Sequence, residues 1–277
     1  MATRDILVAI DNAATLAQRL APAAVLAAAE GARLTGLFAS GLPVENAYGD
    51  LSGWMQVVEA FLESQRAAAS VAEAAFRQEL AQRKLTGDWL YRESDATDTA
   101  IALAPLYDLV VIGQANPDAE PTGARTLQPE AVVLGCGRPV LVVPYAGNFA
   151  EIGRHVLVGW NGSREATRAL HDAMSMLQRA EAVTIVEVAG AAEPDAMRVP
   201  AAELAAALGR RGVRASAETA PSGDISIEDL LLSRAADLGA DLLVMGAYGH
   251  SRLREYVLGG PSRGIFRHMT VPVLMAH

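Results

Sequence analysis

Three short apolar segments of this chain occur twice and in the same order, which constrains the fold more than any other feature. The matching pairs are Arg4–Asp11 with Arg154–Asn161, Asp108–Gly113 with Asp241–Gly246, and Arg138–Val143 with Val271–Ala276. Each segment is a run of the kind that forms a strand buried on both faces of a parallel sheet. An ordered repeat that spans most of the chain predicts two copies of one fold. We therefore predict one domain at residues 1–146 and a second at residues 151–277.

Apolar runs alternate with helical segments in both copies. In the second copy, the predicted strands are Val156–Trp160, Val183–Val188, Val213–Thr219, Leu242–Met245 and Pro272–Met275. The predicted helices there are Ser163–Arg179, Val199–Arg210, Ile225–Leu238 and Ser262–His268. The first copy has predicted strands at Ile6–Ile10, Leu34–Ala39, Trp89–Arg92, Leu109–Ile112 and Val140–Val143, and a long helix from Met55 to Lys84. Right-handed βαβ crossovers follow, so we predict an α/β fold with two tandem, doubly wound, parallel five-stranded sheets.

Charge and hydropathy exclude several classes of function. The 277 residues carry a net charge of −9, whereas nucleic acid and anionic lipid both bind basic surfaces. No apolar run approaches the roughly 20 residues that cross a bilayer, and the first residues lack the layout of a signal peptide. Cys136 is the single cysteine, so no disulfide can form within the chain. We expect a cytoplasmic protein with neither a nucleic-acid nor a membrane partner.

Glycines are concentrated between the predicted strand Leu242–Met245 and the predicted helix that starts at Ser262. They are Gly246, Gly249, Gly259 and Gly260. Because glycine lacks a Cβ and tolerates positive φ, such a backbone can turn its N–H groups onto one anion. The helix would add its own free N–H groups and the positive end of its dipole. The segment therefore predicts a phosphate cradle, although glycines after a strand also form ordinary turns.

Candidate contacts to a nucleoside lie at the carboxyl ends of the strands in the second copy. In a doubly wound sheet the ligand crevice lies beyond these ends, where the strand order reverses. Asn161 follows the first strand, Val188 ends the second and Gly246 follows the fourth. An amide beside an apolar side chain can hold a purine while the glycine loop holds phosphates. His250 in the loop and Arg263 in the next helix are further candidate phosphate contacts.

These features together resemble the universal stress protein family in its tandem, two-domain form. The resemblance covers essentially the whole chain. It rests on the repeated βαβ units, the DLLVMG strand and the spacing Gly246-x2-Gly249-x9-Gly259. It implies a Rossmann-like fold of the adenine nucleotide alpha hydrolase type. It also implies ATP or a related adenine nucleotide as the ligand, with any magnesium held by the phosphates.

The second copy departs from the ATP-binding pattern of that family at two positions. The family has a Ser or Thr directly after the last glycine, where this chain has Gly260, while Ser262 matches the family's second hydroxyl. The family's Asp after the first strand is Asn161 here, although Asp11 retains it in the first copy. Loss of one hydroxyl contact removes about 1–2 kcal/mol, or roughly tenfold in affinity. We therefore expect weakened rather than abolished binding.

The first copy lacks both the glycine pattern and the positive charge. Gly113 survives, and the other cradle positions are replaced by Asn116, Thr126, Leu127 and Pro129. Residues 113–134 contain one arginine and three acidic residues, whereas residues 246–267 contain four arginines and one glutamate. Because like charge repels phosphate and unlike charge attracts it, we expect the second copy to bind and the first to be a degenerate partner.

No motif in the sequence provides recognisable catalysis. A Gly-x-Ser-x-Gly elbow is absent, and the five histidines show no metal-ligand spacing, so we predict no catalytic residue and no metal held by the protein. Glu255 is the one carboxylate in the loop, so we expect a nucleotide binder or a very slow ATPase. A nucleotide-free interaction module and a nucleotide-cleaving enzyme stay open as alternatives. We also expect the closing strands Pro139–Val143 and Pro272–Met275 to pair about an internal pseudo-twofold, and leave homodimerisation open.

Overall fold

The computed structural model describes residues 3–10, 16–42, 51–116, 118, 126–189, 198–221, 225–247 and 261–277. Ten strands of this part of the chain form one sheet. They are β1 Asp5–Ile10, β2 Arg33–Ala39, β3 Gly87–Arg92, β4 Leu109–Gly113, β5 Val140–Val143, β6 His155–Trp160, β7 Ala182–Val188, β8 Ala215–Ala220, β9 Leu242–Gly246 and β10 Val273–Ala276. Their order across the sheet is β3-β2-β1-β4-β5-β10-β9-β6-β7-β8. Each predicted strand therefore has a counterpart in the structure.

The two halves of the sheet meet at its centre. Strands β1–β5 pair in parallel, and so do β6–β10. Between the halves, β5 and β10 pair antiparallel, with Val142 opposite Val273 and Val140 opposite Met275. The predicted α/β class with doubly wound parallel sheets is confirmed, and so is the pairing of the closing strands. The two five-stranded units are thus parts of one continuous sheet.

Helices cover both faces of the sheet. They are α1 Leu16–Glu30, α2 Leu51–Arg83, α3 Ala96–Leu103, α4 Pro129–Gly135, α5 Arg164–Asp172, α6 Met174–Arg179, α7 Ala201–Gly209, α8 Ile227–Asp237 and α9 Pro261–His268. The prediction of one helix over Ser163–Arg179 is wrong. At the buried Ala173, ψ is −1°, which departs from helical geometry and separates α5 from α6.

Two apolar clusters form the core, one on each face of the sheet. The first contains side chains of α1, α2, α5, α6 and α7, such as Phe76 and Leu170. The second contains side chains of α3, α4, α8 and α9, such as Val132 and Phe266. Each cluster draws on both halves, so the halves share their burial of apolar surface. Among the described helices, none has the length and apolarity needed to cross a membrane.

An aspartate before the fourth strand of each half performs the same task. The Asp108 carboxylate accepts hydrogen bonds from the N–H groups of Arg4 at 2.8 Å and Asp5 at 3.2 Å. The Asp241 carboxylate accepts from Gly153 at 2.8 Å and Arg154 at 3.0 Å. Each carboxylate thereby fixes the chain at the start of the neighbouring strand, which gives a physical reason for the repeated Asp in the sequence.

Candidate functional site

The strand order reverses between β6 and β9 in the second half of the sheet. The chain runs outward from β6 through β7 to β8, and then returns to β9 on the other side of β6. Gly159 lies opposite Met245, which brings the ends of β6 and β9 to the same level. Asn161 and Gly246 therefore lie at neighbouring strand ends, where a doubly wound sheet has its ligand crevice.

The Asn161 side chain helps to start helix α5. Its Oδ1 accepts a hydrogen bond from the Ser163 N–H at 3.1 Å, and the Ser163 hydroxyl accepts from the Ala166 N–H at 3.1 Å. Gly162 between them has a φ of +71°, a conformation that glycine adopts without strain. Because the amide oxygen accepts from a backbone N–H, the NH2 group of Asn161 is the end that a ligand could meet.

Gly246 is a point of close contact between β9 and α5. A Cβ built on Gly246 would lie 2.6 Å from the carbonyl carbon of Glu165 and 2.9 Å from its Cβ, and would also meet the Ala166 nitrogen. No side chain fits there. The close packing of helix on strand therefore requires glycine at this position, which is a known role for a glycine in nucleotide-binding βαβ units.

The structure places an acidic residue, Glu165, against Gly246 at the start of α5, which the sequence patterns did not indicate. Glu165 is buried, and its Oε1 accepts hydrogen bonds from the Arg164 guanidinium at 3.1 and 3.2 Å. Its backbone lies against Gly246. Glu255 is thus not the sole carboxylate to consider near the cradle. The sequence feature that could have indicated this is the position of Glu165, four residues after Asn161 and in the first turn of a helix that starts at the strand end.

A cation was also missed. The aliphatic part of the Arg198 side chain lies over Gly162, so that a Cβ built on this glycine would be 3.2 Å from the Arg198 Cγ. Arg198 precedes α7 and reaches back to the turn at Asn161. Nothing in the local sequence indicates this contact, since it depends on how the segment before α7 returns to the end of β6.

Val188 and Trp160 are buried near the ends of β7 and β6, in the apolar clusters on opposite faces of the sheet. Val188 is buried among apolar side chains at the end of β7, as the sequence predicts for a strand end. Trp160 is also buried, and its Nε1 donates a hydrogen bond to the Val199 carbonyl at 2.8 Å. The Trp160 side chain is therefore part of the core.

Two further predicted phosphate contacts, Ser262 and Arg263, lie in helix α9, one buried and one exposed. Ser262 is 2% exposed. Arg263 is exposed and lines a groove of about 330 Å³ between α8 and α9. The groove is lined by Ser226, Glu228, Asp229, Arg263, Gly264, Arg267 and His268. Arg263 thus lies in a groove with two carboxylates of α8, while Ser262 lies inside the molecule. Gly249, His250, Glu255, Gly259 and Gly260 lie outside the described residues.

The first half has a different arrangement at the corresponding point. A Cβ built on Gly113 would meet the guanidinium of Arg19, with Nη2 at 2.5 Å. Arg19 belongs to α1 and is buried. A side chain therefore fills the space above Gly113, whereas the helix backbone approaches Gly246 directly. Within the described parts of the chain, no group of three or more His, Cys, Asp or Glu side chains could hold a metal ion.

The fold and the crevice define a class of protein. A sheet order of 3-2-1-4-5 in each half, with helices on both faces, is typical of Rossmann-like, doubly wound folds. The model of the universal stress protein family matches residues 153–277. Residues 153–277 therefore carry a domain similar to the universal stress protein family.

Relatives agree with this assignment. The chain is 26% identical over 172 residues to the universal stress protein Slr1230 of Synechocystis sp., a match that covers 61% of this chain and 57% of that protein. A universal stress protein from Archaeoglobus fulgidus has the same fold over 98% of this chain and 95% of its own, with a TM-score of 0.71 at 17% identity. A functionally unknown protein, PA1789 from Pseudomonas aeruginosa PAO1, aligns over 99% of this chain and 92% of its own, with a TM-score of 0.55 at 15% identity.

Proposed function

We propose that this protein is a tandem universal stress protein whose C-terminal domain, residues 151–277, binds ATP or a related adenine nucleotide. The N-terminal domain, residues 1–146, is a degenerate partner. The observation that carries the proposal is the geometry of the switch point. There, the ends of β6 and β9 lie side by side, and α5 approaches so closely that only glycine fits at position 246.

The chemistry of the crevice fits an adenine nucleoside. The Asn161 NH2 group would donate to a ring nitrogen or a ribose oxygen, and the buried Val188 would contact the base. Gly246, Gly249, Gly259, Gly260 and Ser262 would hold the phosphates, with His250 and Arg263 as outer contacts. Arg198, whose side chain lies over Gly162, adds a cation near the Asn161–Gly162 turn.

The buried Glu165 argues for a cation with the nucleotide. Its backbone and Cβ pack against Gly246, so its carboxylate, although paired with Arg164, would add negative charge on this side of the crevice and disfavour a bare polyphosphate. Magnesium held by the phosphates would reduce the repulsion. Since Arg164 binds the carboxylate and α5 buries it, Glu165 is poorly suited to activate water. We therefore propose binding with no turnover or with very slow turnover.

Calorimetric titration with ATP, with and without magnesium, tests the proposal. We expect heat of binding and a raised midpoint of thermal unfolding. Ser262→Ala should weaken binding by roughly three- to tenfold through loss of one hydroxyl contact. Ser64→Ala is the control, because Ser64 is an exposed serine of α2 in the first half. Absence of heat and of thermal stabilisation at millimolar ATP would contradict the proposal and support a nucleotide-free interaction module.

A further inference from the structure

Gln114 is a buried polar side chain that joins the two halves of the molecule. It follows β4 directly and is 2% exposed. Its Nε2 donates to the carbonyl oxygen of Phe266 at 2.8 Å and to that of Arg267 at 3.3 Å. Its Oε1 accepts from the Tyr145 N–H at 3.2 Å. Because one end meets carbonyls and the other an N–H group, the partners fix the orientation of the amide.

The Gln114 amide completes the hydrogen bonding of helix α9. The last four carbonyls of a helix lack partners within the helix. In α9, the Ile265 carbonyl accepts from the Met269 N–H at 2.9 Å, and the next two carbonyls accept from Gln114. A helix of the second half therefore depends on a side chain of the first half at its C-terminal end.

The residue that corresponds to Gln114 in the second half cannot make the equivalent hydrogen bond to the first half. In the repeat, Ala247 corresponds to Gln114, and Val133 corresponds to Phe266. Ala247 is fully buried, and an alanine side chain cannot donate a hydrogen bond. The two copies thus differ here in hydrogen bonding, in addition to the difference in their glycine patterns.

We propose that Gln114 is a positioning residue for phosphate binding in the second half. By holding the C-terminal end of α9, it fixes the direction in which Ser262 and the N–H groups of the helix's first turn point. Ser262 lies roughly 6 Å along the helix axis from Phe266. This inference rests on the proposed nucleotide binding.

The middle of α9 provides the pivot. Ile265 is fully buried in the core at this point, and the Glu228 side chain of α8 lies against the neighbouring Gly264. α9 has eight residues, and we expect such a short helix, held at its middle and released at its C-terminal end, to tilt and to move its N-terminal end. The phosphates would lose alignment with the N–H groups, whereas a nucleoside bound at Asn161 and Val188 would not.

Titration of ATP and adenosine against Gln114→Met tests the inference. Methionine has nearly the same volume and lacks both polar ends. We expect the ATP affinity to fall by roughly three- to tenfold and the adenosine affinity to change less than about twofold. The matched control is Arg179→Met, which removes an ion pair between the halves, Arg179 Nη2 to Glu30 Oε1 at 2.6 Å, on the other face of the sheet. It should leave both affinities unchanged.

The outcomes separate the two proposals. An equal loss for ATP and adenosine, or no loss for either, overturns the positioning role and leaves nucleotide binding by the wild type intact. A wild type that binds no ATP overturns both. If Gln114→Met does not fold, Gln114→Glu decides by the same criteria. In its ionised form, the introduced carboxylate keeps an acceptor for the Tyr145 N–H but loses the donor to the Phe266 carbonyl, so the titrations are made at about pH 8.

Discussion

Gly113 and Gly246 end corresponding strands, yet substitution by alanine should lower the free energy of unfolding by different amounts at the two positions. A Cβ on Gly246 meets the backbone of α5, at 2.6 Å from the Glu165 carbonyl carbon. A backbone cannot move without shifting the whole helix. A Cβ on Gly113 meets the guanidinium of Arg19, which is the far end of a flexible side chain. The loss of stability therefore depends on whether the added Cβ meets a backbone or a flexible side chain.

We expect Gly246→Ala to lower the free energy of unfolding by roughly 2–4 kcal/mol, the upper range for overpacking a rigid site. Gly113→Ala should cost about 1 kcal/mol, because Arg19 can rearrange. At roughly 2–4 °C per kcal/mol for a chain of this size, the midpoints of thermal unfolding should differ measurably between the two variants.

Calorimetric melting of both variants and of Gly209→Ala is the assay. Gly209 ends α7, with nothing within 4 Å of a built Cβ, so alanine there should be neutral or stabilise by up to about 1 kcal/mol. If Gly113→Ala proves as destabilising as Gly246→Ala, the distinction between a backbone and a side-chain obstacle is refuted.

Three further predictions concern single titratable groups. Glu165→Gln should raise the affinity for ATP without magnesium by up to roughly tenfold and should change the affinity for adenosine less than about twofold, because it removes a negative charge from the residue that packs against Gly246 and leaves the Arg164 cation unpaired; equal titration curves would contradict the role given to Glu165. Burial raises the pKa of the Asp172 carboxyl against the opposing effect of Arg168, so the stability that its protonated form contributes is complete below about pH 3.8 and is lost as the pH rises through the folded pKa. Asp172→Asn should accordingly be about 1 kcal/mol more stable than wild type at pH 7, with the gain vanishing in acid, as melting at several pH values would measure. Burial likewise raises the pKa of the Cys136 thiol, so a thiol reagent at pH 8 should label it only after unfolding; rapid labelling of the folded protein would count against this.

Much of the fold could be predicted from the sequence because it depends on local patterns. Short apolar runs such as Val140–Val143 indicate buried strands, and their order and repetition predict the parallel halves and the central pairing. The strand ends then indicate where a ligand crevice lies, which gives Asn161 and Gly246. The boundaries of the two domains and the binding roles of the site residues stay predictions.

The remaining contacts depend on which side chains meet across distant elements. Hydrophobic periodicity indicates which face of α1 is buried, but it does not indicate that the buried Arg19 reaches Gly113. The bond between Gln114 and Phe266 spans 152 residues and two halves. Glu165 looks like an ordinary charged residue in the first turn of a helix until the strand end beside it is known.

Covalent fusion makes the junction between β5 and β10 insensitive to dilution. If the same two strands belonged to separate chains, their association would depend on protein concentration, whereas within one polypeptide each strand is always close to the other. Fusion also removes the symmetry that identical subunits impose, under which every substitution appears on both sides of the junction. Each side of this molecule was therefore free to diverge, and Arg19 and Gln114 could arise on one side alone.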